Sequence, residues 1–194
     1  MDATLRNLPC ARIEVDEIWC YVGKKQRHVG VTDNPTAVGD FWTWVALDAE
    51  TKLVPAHLVG KRDATTAQAF MSDLSSRLAN RVQLSSDGLR LYIEAVEQGF
   101  GGNVDYATVV KSYEAEPIGP GRYSPPKVVS TEKSKIVGNP VDALISTSYV
   151  DRQNLTLRMA NRRFTRLTNA FSKKAENLKA AVSLHYGVYN FVRK

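Results

Sequence analysis

The sequence contains little cysteine and no long apolar run, and both absences narrow the class of protein. Two cysteines in 194 residues, Cys10 and Cys20, are too few and too widely spaced for a disulfide framework or a Cys-x-x-Cys metal site. We therefore expect two free thiols, buried or partly buried, in a reducing compartment. No stretch approaches the roughly 18 consecutive apolar residues of a membrane span, and residues 1–6 do not resemble a signal peptide. With 43% hydrophobic and 24% charged residues, the composition is typical of one globular domain.

Acidic residues are scarce in the last third of the chain, which is strongly basic. Residues 1–121 hold 12 Lys and Arg against 16 Asp and Glu, whereas residues 122–194 hold 14 against 4. Phosphate backbones bind such an excess of positive charge, with a solvated surface as the alternative. DNA contacts are predicted there and in the loop after the first strand, at Lys24, Lys25, Arg158, Arg162, Arg163, Arg166, Lys173 and Lys174.

The hydrophobic pattern predicts alternating strands and helices. Strands are predicted at 12–22, 41–47, 53–59, 81–85 and 106–110. Helices are predicted after Asp63 or Thr65, at 91–98, from Asp142 onward and at 173–191, with an irregular insertion rich in proline and glycine at 113–140. This order is that of the ribonuclease-H-like fold, so we predict an α/β protein with a mixed five-stranded sheet flanked by helices. The fourth strand is predicted to lie parallel to the first, and Trp19, Trp42 and Trp44 in the core.

Two aspartates occupy unusual positions in this pattern. Asp16 interrupts an apolar strand, where an unpaired carboxylate costs several kcal/mol, and Asp87 follows the fourth strand directly. If the first and fourth strands are neighbours, the two carboxylates converge at a distance that suits a pair of Mg²⁺ ions. Asp87-Gly88 is also a common turn sequence. Glu14 shares the face of Asp16 and is a rival ligand, whereas Glu17 points to the opposite face, toward solvent or a loop.

A third acidic ligand is expected from the C-terminal helices, where Glu176 is the one acid after Asp151. Glu176 shares a helical stripe with small residues, which would let that face approach the sheet. The alternative is an exposed Glu176 that pairs with a neighbouring lysine. If Glu176 does not reach the site, Asp151 or Glu14 takes its place in the hypothesis.

Six short motifs, in order, resemble the catalytic domain of insertion-sequence transposases. They are Val15-Asp-Glu-Ile-Trp19, Gly23-Lys-Lys25, Phe41-Trp-Thr-Trp-Val-Ala-Leu-Asp48, Gly60-Lys-Arg-Asp63, Ser86-Asp-Gly88 and Phe171-Ser-Lys-Lys-Ala-Glu176. The pattern is similar to the insertion-sequence-1 type within the DDE superfamily and covers about residues 11–191. The resemblance implies a catalytic, metal-binding triad of Asp16, Asp87 and Glu176 that uses two Mg²⁺ or Mn²⁺ ions.

The resemblance also implies a function and its partners. We expect a short tail at 1–10 and a catalytic domain at 11–194 that hydrolyses DNA and transfers strands during transposition. Transposon ends and target DNA are the expected partners, with a homo-oligomer assembled on DNA, in the cytoplasm at the nucleoid of a prokaryotic host. The zinc finger and helix-turn-helix usual in this family have no counterpart here. Alternatives are therefore a non-catalytic or truncated DNA-binding remnant, or a ribonuclease-H-like nuclease without strand transfer.

Overall fold

In a computed structural model of the chain, residues 4–114, 128–165 and 169–192 are described. The strands are β1 (Arg12–Val22), β2 (Gly39–Asp48), β3 (Ala56–Gly60), β4 (Val82–Ser86), β5 (Val104–Tyr113) and β6 (Val128–Val137). The α-helices are α1 (Ala64–Arg77), α2 (Leu91–Phe100), α3 (Ser148–Ala160) and α4 (Ala175–Phe191). Among these residues, no helix is both long enough and apolar enough to cross a membrane.

The strands form one mixed six-stranded sheet in the order β3-β2-β1-β4-β5-β6. β1, β2 and β3 are antiparallel, and β4 lies parallel to both β1 and β5. The predicted position of the fourth strand beside the first is therefore confirmed. Helices flank the sheet on both faces, which confirms the α/β class.

The sheet has six strands rather than the five predicted, because β6 lies within the segment 113–140 that was expected to be irregular. β6 is an edge strand that pairs with β5, and nearly all of its side chains are exposed. An exposed edge strand buries no apolar stripe, so the alternation that marks other strands is absent. Residues 115–127 of the predicted insertion lie outside the described residues.

Two apolar cores lie on opposite faces of the sheet. On one face, Ile13 and Val15 of β1 pack with α1 and α2. On the other face, Ile18, Cys20 and Val22 pack with α3 and α4. Successive residues of β1 therefore point to opposite cores, as strand geometry requires. The expected free, buried thiols of both cysteines are also confirmed.

The helix boundaries follow from local chemistry. The Asp63 carboxylate accepts a hydrogen bond from the Thr66 N–H and so caps α1 where the sequence predicts it. Gly101, with a φ of 56°, ends α2 in a conformation that glycine adopts without strain. α2 carries Tyr92, whose hydroxyl reaches Glu17 of β1.

Candidate metal centre

Three carboxylates converge where β4 ends beside β1. β4 pairs with Arg12–Val15 and ends at Ser86. Asp87 therefore lies level with the next residues of β1, which are Asp16 and Glu17. One carboxylate oxygen from each of these three residues lies within 4.8 Å of the other two. The predicted convergence of Asp16 with Asp87 is what the structure shows, and Glu17 joins them.

Burial and repulsion between charges favour the protonated forms of Asp16 and Glu17. Desolvation, followed by the charges of Glu17, Asp87 and Asp151, raises the pKa of Asp16 to about 7. Desolvation and the charge of Asp87 likewise raise the pKa of Glu17 to about 7, although Arg62 opposes the change. Carboxylates that repel one another this strongly are stabilised by a cation between them.

Each carboxylate also has a neighbour that holds it in place. The Arg62 guanidinium lies 2.6 Å from Glu17, whose side chain is only 3% exposed. The Tyr92 hydroxyl donates to the same carboxylate at 3.0 Å. The Leu89 N–H donates to Asp87 at 3.0 Å, which fixes the turn after β4. The three side chains are therefore positioned before any ion binds.

Helix α3 supplies a second row of polar side chains to the site. The Asn154 amide donates to the Asp16 carboxylate at 2.7 Å. Asp151, one turn earlier, pairs with the Lys111 ammonium at 2.5 Å. A cavity of about 400 Å³ is lined by Asp16, Asp87, Lys111 and Asp151, among others. A neighbouring cavity of about 210 Å³ shares Asp16 and Asp151 and adds Arg158. The acids thus line an open cleft large enough for a phosphodiester.

Glu14 does not act as the rival ligand that its position on the strand predicted. One of its carboxylate oxygens accepts hydrogen bonds from the N–H groups of Tyr149 and Val150, at 2.7 and 3.0 Å. These groups belong to the first turn of α3, which lacks partners within the helix. Desolvation nevertheless raises the pKa of Glu14. Glu14 therefore anchors α3 to β1.

Glu176 is not part of the acidic cluster. It is exposed in the first turn of α4. The helix does pack on the face of β1 that carries Asp16, as expected. However, α4 follows Ser172, which lies beside Val22 at the far end of β1. Six residues of strand, about 20 Å, separate Val22 from Asp16. The catalytic role of Glu176 stays a prediction, and Asp151 is the C-terminal acid that lines the cleft.

The predicted DNA-binding residues fall into two places. Arg158 lines the acidic cleft itself. Most of the others gather at the far end of β1, where the Gly23 N–H bonds to the Ser172 carbonyl. This group comprises Lys24, Lys25, Arg163, Lys173 and Lys174, with Arg162 in the same short turn as Arg163. Lys24 is paired with Asp33 at 2.8 Å. Arg166 lies outside the described residues.

Sequence reasoning missed Glu17 and gave Asp151 second place. Strand alternation assigns Glu17 to the face opposite Asp16, and the structure agrees. Asp87, however, lies beyond the end of its strand, so side chains from both faces of β1 reach it. The signal for Asp151 was available in its helical spacing, because Asp151, Asn154 and Arg158 lie on one face of α3.

A larger cavity, of about 580 Å³, lies between α4 and the edge strand β3. Its lining is mostly apolar and includes Leu184, Val188 and Phe191, with no carboxylate. His57 is the one side chain of this lining that commonly binds metal ions, whereas three possible ligands converge in the smaller acidic cleft. The acidic cleft is therefore the candidate site.

Comparison of the sequence with protein-family models and with curated proteins gave no match.

Proposed function

We propose that this chain is the catalytic core of a DNA transposase with a ribonuclease-H-like fold. It hydrolyses DNA phosphodiesters and transfers the freed strand with the help of Mg²⁺ or Mn²⁺. The observation that carries the proposal is the convergence of Asp16, Glu17 and Asp87 at the junction of β1 and β4. The six motifs that resemble insertion-sequence transposases make DNA the proposed substrate.

The topology supports the same proposal. Three antiparallel strands followed by two parallel strands, in the order β3-β2-β1-β4-β5, is the arrangement expected of ribonuclease-H-like proteins. In open α/β sheets, ligands bind beyond the carboxyl ends of parallel strands where the strand order reverses. The chain order reverses between β1 and β4, and Asp87 lies at the carboxyl end of β4. The acids therefore lie where open α/β sheets generally bind their ligands, which supports the proposal.

The donor set fits a hard divalent cation. Asp16, Glu17 and Asp87 offer carboxylate oxygens, the ligands that Mg²⁺ and Mn²⁺ prefer, and no sulfur or imidazole lies among them. These three residues would hold the ion, with Asp151 beside them on α3. A divalent cation bound here supplies Lewis-acid stabilisation of the phosphate charge and lowers the pKa of an attacking water.

The remaining side chains bind and orient the substrate. Arg158 lines the cleft with Asp16 and can contact a phosphate that enters it. Lys111 pairs with Asp151 and so limits the negative charge that a DNA strand meets. Arg62 is bound to Glu17 and about two-fifths exposed. Each of these three cations lies beside an acidic residue of the cleft. Their positive charge reduces the repulsion that the phosphates of DNA would otherwise meet there.

The proposal is tested by a cleavage assay on labelled DNA, with EDTA, Mg²⁺ or Mn²⁺, and with both hydrolysed and joined products resolved on a gel. Asp87→Asn keeps the turn after β4 but removes a negative charge from the cluster. It should reduce the rate by at least about 10³-fold, the range seen when one member of a catalytic set is removed. Asp142→Asn is the matched control, because Asp142 is 73% exposed and lies outside the cluster.

The products separate the alternatives. Cleavage with joined product supports the transposase core, whereas cleavage alone supports a nuclease without strand transfer. DNA binding without cleavage under either metal overturns the enzymatic proposal in favour of a DNA-binding remnant. Equal rates for folded Asp87→Asn and Asp142→Asn would also overturn it, since the cluster would then have no part in the reaction.

A further inference from the structure

A row of aromatic side chains leads away from the acidic cluster along β1. Trp19 and Tyr21 follow Glu17 on the same face of the strand, at alternate positions. Their ring centroids are 5.9 Å apart. The Phe171 ring, from the segment that lies beside the end of β1, is 4.9 Å from the Tyr21 ring. These three side chains, which we call the aromatic strip, form a continuous surface that begins beside Glu17.

The aromatic strip is separate from the apolar cores. Trp44 is buried, and Trp42 packs against the same core, as predicted for the tryptophans. Trp19 was expected there too, but it is half-buried and, within the described residues, belongs to neither core. Tyr21 and Phe171 are also half-buried and outside both cores. The part of each ring that remains accessible lies outside both cores, which makes the strip a candidate binding surface.

Two lysines lie beside the strip, Lys25 and Lys173. The Lys25 ammonium lies 5.9 Å above the Tyr21 ring. Lys173 follows Phe171 by two residues and is exposed. Aromatic rings flanked by cations are the combination that binds single-stranded nucleic acid, because rings stack on bases while cations bind phosphates. In duplex DNA the faces of the bases are covered by their neighbours, so the strip favours unpaired bases.

We propose that the aromatic strip binds unpaired DNA bases next to the bond that is cut. This inference rests on the proposed function, because the acidic cleft as the site of cutting defines the path of the DNA. The bound DNA strand then runs from the acidic cleft along β1. Trp19, nearest to Glu17, stacks on the first unpaired base, and Tyr21 and Phe171 stack on those that follow. The strip therefore makes the enzyme select DNA whose end is frayed or single-stranded.

The test measures binding without metal, so that it does not depend on catalysis. A fluorescent twelve-nucleotide single strand and the same sequence as a duplex are titrated with the full chain in EDTA. Trp19→Leu and Tyr21→Leu should each weaken single-strand binding about tenfold, the effect of losing one stacked base. Duplex binding should change less than twofold. Tyr21→Phe keeps the ring and should bind normally. Phe191→Leu, an exposed aromatic on α4, is the matched control.

A measurement on the unmodified chain covers the case in which a variant fails to fold. Single strands that carry 5-iododeoxyuridine are photo-crosslinked to the protein, and the sites are mapped by mass spectrometry. Crosslinks at Trp19, Tyr21 or Phe171 support the proposal, and crosslinks confined to other residues overturn it. Equal losses for single strand and duplex in folded Leu variants also overturn it. If the chain cuts no DNA yet the Leu variants lose single-strand binding selectively, the strip stands and the proposed enzyme does not.

Discussion

Asp16 shows at the scale of one residue how a buried carboxylate in the candidate site opposes folding. Its carboxylate is largely removed from water and faces the charges of Glu17, Asp87 and Asp151. One amide hydrogen bond, from Asn154, offsets part of this cost. Groups with strongly raised pKa values in a cleft mark functional sites more often than structural ones. The metal-free fold should therefore be less stable with Asp16 charged than with it neutral.

Asp16→Asn should stabilise the metal-free protein at pH 8. The pKa of Asp16 is about 7 in the folded chain and near 3.8 in the unfolded chain. The folded state thus binds the proton more tightly, and this contribution to stability is lost as pH rises from about 4 to about 7. The substitution should gain about 2 kcal/mol at pH 8 and close to nothing at pH 4. Thermal melts in EDTA at both pH values measure the difference.

The same melts with added Mg²⁺ complete the comparison. An ion that binds only the folded state raises the melting temperature of the unmodified chain and should raise that of Asp16→Asn much less. Asp142→Asn should follow the unmodified chain throughout. If Asp16→Asn were less stable than the unmodified chain at pH 8, repulsion in the cluster would be weaker than the hydrogen bond from Asn154.

Helix α3 shows at the scale of elements how a buried glutamate positions the site. Glu14 lies two residues before Asp16 on the same face of β1 and accepts two N–H groups from the start of α3. A carboxylate there also interacts favourably with the positive end of the helix dipole. Because α3 carries Asp151 and Asn154, its attachment to β1 sets their distance from Asp16.

Glu14→Ala should lower the free energy of unfolding by about 2 kcal/mol, since it leaves two backbone donors of α3 without a partner. It should also weaken Mg²⁺ binding, because Asp151 and Asn154 lose their fixed position. Glu14→Gln keeps an acceptor oxygen and should retain most of the stability. Glu132→Ala, on the exposed strand β6, is a control expected to be neutral. Urea unfolding and isothermal titration with Mg²⁺ provide the readouts. Unchanged Mg²⁺ affinity in folded Glu14→Ala would show that α3 plays no part in the site.

A strand or helix could be predicted where its burial produces a periodic pattern of apolar residues in the sequence. β1 alternates between two cores, and its predicted bounds of 12–22 match those observed. β6 lies at the edge and is exposed, so no such pattern exists. The convergence of Asp16 and Asp87 could be predicted from a single feature, the position of β4 beside β1. The contribution of Glu17 depends instead on where β4 ends. That end point is set by tertiary packing, which a single sequence does not encode locally.

At the scale of the whole molecule, the fold separates charge into two regions. The acids that define the cleft come from the first 87 residues and from Asp151. Several basic residues of the last third, Arg162, Arg163, Lys173 and Lys174, lie at the far end of β1, where Ser172 bridges to Val22. The aromatic strip joins these two regions. We call the cations at the far end of β1 the basic end. A polyanion can therefore contact the basic end while one of its phosphates lies in the acidic cleft.

The basic end should carry most of the salt dependence of DNA binding. Arg162, Lys173 and Lys174 are all exposed there. Changing all three to glutamine should flatten the log–log slope of duplex affinity against salt by about 2.7, which is about 0.9 for each phosphate that is no longer neutralised. The matched control changes Arg90, just before α2, and Lys133 and Lys135, on β6. It removes the same net charge of +3 from a chain of +6. Fluorescence anisotropy between low and high salt measures both slopes. If the two triple variants flatten the slope equally, net charge alone drives binding and the basic end is an ordinary solvated surface.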